Sequence, residues 1–377
     1  MSRVLHIDLD AFFASVEEAE NPELRNQKLV VMGAGERGVV TSANYRARKN
    51  GIKAGMPYKK AFSLCPDCTF ISANYKIYED YSRRFFKILE QFSPDVEHYS
   101  IDEAFIDVSR LRYIENSEIG LAVKIKREIK NKIKISASIG IGDKKVSAKI
   151  ATKLAKPGGV CRVLNEDDFL TGILVSEIPG IGKALSVKFS LVGFERGRDI
   201  KKRDFLLWEK IKTGFGSFVI PFEREMLSSL PFQSVSRGRT FNRDLSEKDE
   251  ILVHISEFSE EISRTLIKNQ VKTSLVGVKL RYFNFYEEEF KTKMIPPISN
   301  YSDIYTQAKT LFLNNYKPVK GKLRALTVFV GNLKKAPIYY MFRPEINKKE
   351  AFSSAVFRIK ERFGDRIIYP ARKFVRI

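Results

Sequence analysis

Val4 to Leu9 is a short apolar run that delivers a carboxylate, Asp8, to its end, with Asp10 two residues further on. A run of this length bounded by polar residues reads as a buried strand. A carboxylate at the end of a buried strand costs several kcal/mol unless a partner offsets it, and a bound cation is the usual partner. The chain must therefore fold so that other charged groups reach the end of its first strand. A second acidic pair stands far away in sequence, in Ser100-Ile-Asp-Glu-Ala104, at the turn of a hairpin read over residues 96–108. On a regular strand Asp102 and Glu103 would face opposite ways, whereas a turn lets both point inward. Taken singly, each acidic pair reads as well as exposed loop acids.

The intervening segments say how the two could meet. Residues 11–72 are broken by glycines at 33, 35, 38, 51 and 55 and read as a small subdomain of short elements. Residues 75–92 carry helical periodicity and stop at Ser93-Pro94; 121–132 form an amphipathic helix, 135–141 a strand, and 144–155 a helix closed by Pro157-Gly-Gly159. Strand, helix, hairpin, helix, strand and helix make an α+β sandwich that can bring sequence-distant carboxylates together. Short helices with basic connections follow from about 165, and 228–233 reads as a linker. Beyond it come a strand (234–241), a helix (250–269), strands at 274–286 and 288–294, a helix (301–316) and a strand (323–330). Two helices over a four-stranded sheet form a separate domain, so the fold class is α+β and multidomain.

The 377 residues are 44% apolar and 29% charged, enough to bury a core, and carry a net charge of +21. A compact chain this basic implies an anionic partner, nucleic acid before a membrane surface. No apolar run approaches the roughly 18 residues of a spanning helix, and no signal peptide is visible before the first strand. A cytoplasmic protein without a membrane partner is expected. Three cysteines do not make a disulfide framework; Cys65 and Cys68 form a C-x-x-C without a second pair, read as two small apolar side chains in a turn around Pro66-Asp67 rather than a zinc half-site or redox pair.

Five stretches then match one pattern in order and spacing: His6-Ile-Asp-Leu-Asp-Ala-Phe-Phe-Ala-Ser15, Thr41-Ser-Ala-Asn-Tyr-Arg-Ala-Arg48, Lys53-Ala-Gly-Met-Pro57, Ser100-Ile-Asp-Glu-Ala104, and Ala148-Lys-Ile-Ala followed by Ala155-Lys-Pro-Gly158. They resemble the Y-family of lesion-bypass DNA polymerases, nearest the bacterial DNA polymerase IV group, over essentially the whole chain. The resemblance implies a right-handed polymerase: palm 1–10 and 73–164, fingers 11–72, thumb 165–228, linker 229–236, little finger 234–333 and a C-terminal extension 334–377. It implies low-fidelity, template-directed synthesis across damaged DNA, with two Mg²⁺ ions (Mn²⁺ a possible substitute) about 4 Å apart. Their ligands are Asp8, Asp102, Glu103 and the backbone carbonyl of Leu9. Spacing alone selects Asp10, which shares a strand face with Asp8; the family pattern does not.

The same resemblance places Arg48 and Lys156 on the triphosphate, with hydroxyls from Ser42 and Tyr45, and Phe12 and Phe13 beneath the sugar. Phe13 is similar in position to the steric gate that excludes a 2′-hydroxyl. Tyr45 and Arg48 are three apart, so a helix would present both on one side. Ile178-Pro-Gly-Ile-Gly182 followed by Lys183 has the form of a helix-hairpin-helix turn, in which Gly180 and Gly182 open backbone N–H groups to a phosphate. Ser234-Val-Ser-Arg-Gly-Arg-Thr-Phe241 is similar to the opening strand of the little finger; Arg237, Arg239 and Arg243 alternate on it and would emerge on one face to track a DNA backbone.

The Pro337-Ile-Tyr-Tyr-Met-Phe342 stretch loosely resembles a sliding-clamp-binding peptide, with Tyr339, Met341 and Phe342 as anchors, although the Gln that usually opens it is absent and an edge strand fits as well. The expected partners are primer-template DNA, deoxynucleoside triphosphates and possible binding to the clamp, on a monomer. Two rival readings stay open: a catalytically silent DNA-binding repair scaffold, and a nucleotidyl cyclase, whose palm also holds two metals. Template dependence separates the last from a polymerase.

Overall fold

The computed structural model describes residues 3–109 apart from 34 and 36, then 117–201, 233–335, 344–364 and 367–368. It divides into two compact units, Met1–Leu227 and Ser228–Ile377. The linker stretch before Gln233 and the Tyr339, Met341 and Phe342 stretch lie outside the described residues.

In the first unit β1 (Val4–Leu9) is buried along its whole length and passes into α1 (Phe12–Glu20). Ala11 makes the turn at φ 47°, a conformation that crowds a Cβ and needs its surroundings to hold it. A three-stranded sheet of order β3-β2-β4 follows, from β2 (Leu29–Met32), β3 (Val40–Ala43) and β4 (Thr69–Ser72), with α2 (Tyr45–Arg48) and α3 (Tyr58–Leu64) between the strands. Cys65 and Cys68, between α3 and β4, are joined by a disulfide, which corrects the expectation of two unlinked thiols. The turn around Pro66-Asp67 brings their Cα atoms to 5.3 Å, within bridging range.

The chain then runs through α4 (Tyr75–Leu89), the hairpin β5 (Val96–His98) and β6 (Glu103–Asp107), α5 (Glu118–Ile133), β7 (Ala137–Gly142), α6 (Lys145–Ala155) and β8 (Val160–Arg162). These strands form a sheet of order β5-β6-β1-β7-β8, with β1 central and antiparallel to β6 and β7. The expected order of elements is present. Alternation along β1 sorts its side chains. Leu5, Ile7 and Leu9 enter an apolar core with Tyr78, Phe85 and Leu89 of α4 and Ile125 and Ile129 of α5. Val4 packs with Phe105 and Ala148, and His6 Nδ1 lies 2.9 Å from Thr152 Oγ1. The even-numbered face, Asp8 included, is thus the face covered by α6. Helix α6 lies close because β7 has a glycine beneath it: a Cβ at Gly140 would stand 2.0 Å from the Ala148 carbonyl oxygen and 2.4 Å from the Thr152 nitrogen. Helices α7 (Glu166–Gly172), α8 (Lys183–Leu191) and α9 (Gly197–Lys201) complete the described part of the unit, with Leu170, Val175, Ile178, Phe189 and Phe194 closing on Val146 and Ile150 of α6.

The second unit contains β9 (Ser234–Leu245), α10 (Lys248–Lys268), β10 (Val271–Tyr282), β11 (Glu287–Ile298), α11 (Tyr301–Asn315) and β12 (Leu323–Lys335). The sheet is antiparallel, of order β11-β10-β12-β9, and both helices pack on it around Ile255, Phe258, Ile262, Ile304 and Phe312. This is the two-helix, four-stranded domain read from the sequence, with longer strands. A helix that the periodicity did not reveal, α12 (Pro344–Phe363), is tied back by charge: Lys272 to Glu350 at 2.6 Å, Lys349 to Asp303 at 2.7 Å, and Lys360 to Glu260.

Gly140→Ala should test the approach of α6. Overpacking against backbone atoms costs about 1–3 kcal/mol, so the denaturant midpoint of the first unit should fall with its slope unchanged. An unaltered midpoint would show that α6 can move away freely.

Candidate active site

Register builds the acidic site. Asp8 stands opposite Glu103 on β6 and opposite Ser138 on β7, and opposite residues of paired strands share a face. Asp102 occupies the turn just before β6, and its carbonyl accepts the Leu9 N–H at 3.0 Å. Three carboxylates therefore reach the α6 end of one sheet. Two ammonium groups meet them, one from α6 and one from the residue just past its end: Lys149 Nζ is 2.7 Å from Glu103 Oε2, and Lys156 Nζ is 2.6 Å from Asp8 Oδ1. Lys149 also lies 4.4 Å from the centre of the Tyr99 ring.

The electrostatics follow from burial. Burial pushes Asp8 up to about 7, against the opposing pull of Lys156 and with a hydrogen bond to Glu103 adding to the rise. Burial would raise Glu103 as well, yet hydrogen bonds from Lys149 and Asp8 hold it below the usual carboxylate range. Burial raises Asp102, with the Ser100 hydroxyl opposing and the Glu103 charge adding. Burial thus works against the charged form of Asp8, while Glu103 keeps its charge against Lys149. His6, buried beside Phe105 with ring centres 4.6 Å apart, is pushed down to about 3 by burial and then by Lys149, and stays neutral.

Such a donor set fits hard cations: oxygen ligands, excess buried negative charge, and two positive groups already standing against it. Among the described residues no three carboxylate, histidine or cysteine side chains close into a ready-made cage.

Asp10 has a different task. Its carboxylate accepts from Ser138 Oγ at 2.7 Å, from the Gly158 N–H at 2.9 Å and from the Tyr45 hydroxyl at 3.3 Å. Spacing alone selects it as a metal ligand; these three donors occupy it as a knot between β1, β7 and α2. Burial, then the Asp10 charge, pushes Tyr45 up to about 12, so the phenol stays protonated and donates. The Arg48 guanidinium sits 4.9 Å from the Tyr45 ring centre and its Nε donates to the Ala43 carbonyl, so the two do share a side of α2. Ser42 is buried and donates to the Ala11 carbonyl at 3.3 Å. Phe12 is core, 3% exposed. Phe13 is partly buried and lies flat on Tyr78 with ring centres 4.3 Å apart, while the Tyr78 hydroxyl donates to Glu17 at 2.5 Å.

Comparison with known proteins settles which class this is. The impB/mucB/samB family matches residues 7–153, and the C-terminal domain of that family matches 232–339. DNA polymerase IV of Dehalococcoides mccartyi (strain CBDB1) is 32% identical over 99% of this chain and 97% of its own length. The chain belongs to the Y-family of DNA polymerases. DNA polymerase IV of Staphylococcus aureus (strain Newman) is 32% identical over 89% of this chain and 96% of its own. Among solved structures, a Y-family DNA polymerase chimera of Dbh and Dpo4 is similar with a TM-score of 0.75 at 29% identity, covering 89% of this chain and all of that one. DinB from Sulfolobus solfataricus follows with a TM-score of 0.55 at 28% identity and the same coverage. The match through 232–339 sets the cyclase reading aside.

In this Y-family chain the Ile178–Gly182 turn has Gly180 at φ 92°, a conformation that favours glycine, and Gly182 caps α8. A Cβ at Gly182 would meet nothing within 4 Å, so the start of α8 is open, with Lys183 exposed beside it. Arg237, Arg239 and Arg243 do emerge on one face of β9, but α10 flanks that face. Arg237 pairs with Glu261 at 3.1 Å, Arg239 with Glu257 at 3.8 Å and Arg243 with Glu250 at 2.8 Å. Sequence reasoning missed Lys149, although it lies in a quoted motif; its spacing of seven from Lys156, two helical turns, was the available signal. It also missed Asn44, a buried side chain that caps α2 by accepting the Ala47 N–H at 2.9 Å and donates to Glu18 at 2.7 Å.

A pH prediction follows from Asp8. Its folded pKa lies above the unfolded value of 3.8, so the folded state binds more protons in between and stability falls as pH rises from about 4 towards 7. In metal-free buffer Asp8→Asn should flatten that segment of the stability curve, read as thermal midpoint against pH. A slope identical to the wild type would show that Asp8 is ionised throughout.

Proposed function

We propose that this translesion DNA-directed polymerase adds deoxynucleotides to a primer 3′ end at Asp8, Asp102 and Glu103, with the Leu9 carbonyl as a further ligand and two Mg²⁺ ions bound, Mn²⁺ substituting. The meeting of these carboxylates across β1 and β6, with two lysines balancing them, carries the reading. Divalent ions held there would favour ionisation of the primer hydroxyl and neutralise the leaving pyrophosphate. Lys156, now on Asp8, and Arg48 would hold the triphosphate, with Ser42 and Tyr45 as neutral donors. Phe13, backed flat by Tyr78, would lie under the sugar as the steric gate.

The turn at Gly180, Gly182 and Lys183 would hold DNA phosphates without reading sequence. Arg237, Arg239 and Arg243 would do so by exchanging glutamate for phosphate. The wider role is damage tolerance by a cytoplasmic monomer, with the 337–342 stretch docking on a sliding clamp. The net charge of +21 supports the nucleic-acid partner.

Asp102→Ala or Glu103→Ala should abolish nucleotide addition while primer-template affinity stays within a few-fold. Retention of more than about a tenth of kcat, a barrier change of only ~1.4 kcal/mol, would sink the ligand assignment and revive the silent scaffold. For the gate, Phe13→Ala should raise ribonucleotide use by roughly tenfold or more (~1.4 kcal/mol of discrimination), scored as the ratio of deoxy to ribo incorporation. An unchanged ratio would make Phe13 a core residue only.

A further inference from the structure

Ser82 lies on the buried stripe of α4 that also carries Tyr78, Phe85 and Leu89, and is 7% exposed. A buried hydroxyl needs a partner, and a serine or threonine in a helix commonly finds it one turn back. Ser259 and Thr310 do this, donating to the carbonyls of Ile255 and Thr306. Ser82 instead reaches out of its helix and donates to the Ile101 carbonyl at 2.6 Å.

That carbonyl belongs to the peptide unit that joins Ile101 to Asp102. The N–H of the same unit points to Ser100 Oγ at 3.4 Å, and the Ser100 hydroxyl donates to Asp102 Oδ1 at 2.7 Å. The next peptide is held through the Asp102 carbonyl, which accepts from the Leu9 N–H. With both flanking peptide planes fixed, the direction of the Asp102 Cα–Cβ bond is fixed too. Ile101 packs against the core on one side, and on the other a cleft of about 530 Å³ opens between Phe86, Lys87, His98 and Ile101. Ser82 lines the same cleft and ties the turn to α4 at its edge.

We infer that Ser82 is a positioning residue for Asp102: its hydroxyl, through the Ile101 carbonyl, aims the carboxylate at the cation site. The inference rests on the reading of Asp102 as a metal ligand, and the test separates the two. Mn²⁺ binding to the full chain, without nucleotide or DNA, is titrated by electron paramagnetic resonance, alongside steady-state kcat and KM. Ser82→Ala should weaken Mn²⁺ binding by about fivefold, the scale of one lost hydrogen bond, and lower kcat by a similar factor with the nucleotide KM unchanged. Ser82→Thr keeps the hydroxyl and should restore both. Ser263→Ala serves as control, since Ser263 makes the same kind of bond to the Ser299 carbonyl at 2.7 Å; it should lower thermal stability without moving Mn²⁺ binding. If Ser82→Ala does not fold, Ser82→Cys, a similar shape with a weak donor, takes its place. Unchanged Mn²⁺ binding in the Ser82 variant, with Asp102→Ala abolishing it, overturns the inference alone. Intact binding in Asp102→Ala overturns the ligand reading and the inference with it.

Discussion

The structure turns on like charge brought out of water. Asp8 and Glu103 face each other across adjacent strands, and Asp102 joins them from the turn. Two carboxylates directly opposed on a sheet repel, and burial removes the solvent that would screen them. The arrangement stands because Lys149 of α6 meets Glu103, Lys156 just past the end of α6 meets Asp8, and the Ser100 hydroxyl meets Asp102. The fold thus concentrates negative charge at one point and stabilises it with two ammonium groups at hydrogen-bond distance.

Helix α6 is therefore more than packing. Thr152 engages His6 on β1, and Lys149 and Lys156 reach the acids from the same side of the helix. A second knot, at Asp10, ties the first strand to the loop after α6 and to α2. Tyr45 of the small subdomain is thereby tied to the residue that follows the strand carrying Asp8. The sheet supplies the acids, α6 supplies the counter-charge, and Asp10 keeps the two in register with Tyr45.

Much of this was legible in the sequence, for reasons that differ by residue. The apolar run of β1 and the helical stripe of α4 follow from periodicity: β1 has the bounds read for it, and α4 starts at Tyr75 as read and stops at Leu89 in place of Phe92. The convergence of Asp8 with Asp102 and Glu103 was readable only through the family pattern, because strand pairing between residues a hundred positions apart leaves no local signal. Asp10 shows the limit: period-two reasoning put it beside Asp8, and it cannot see that Ser138, Gly158 and Tyr45 occupy its oxygens. The three arginines of β9 show it again. Alternation placed them on one face, but the glutamates that meet them belong to α10, whose docking is a tertiary fact. The disulfide at Cys65 and Cys68 was missed because composition favours free thiols while the turn geometry brings the pair together.

Gly140 bears on how such a chain can change over generations. A Cβ there would stand 2.0 Å from the Ala148 carbonyl oxygen, and Lys149 is the next residue of that helix while Lys156 follows its end. A mutation that adds a single carbon to the middle of that strand would thus press on the helix that brings the lysines to Asp8 and Glu103. Selection for tight packing at 140 and selection for balanced charge at 8 and 103 fall on one position. The absence of an atom at 140 thus bears on the charge balance at 8 and 103.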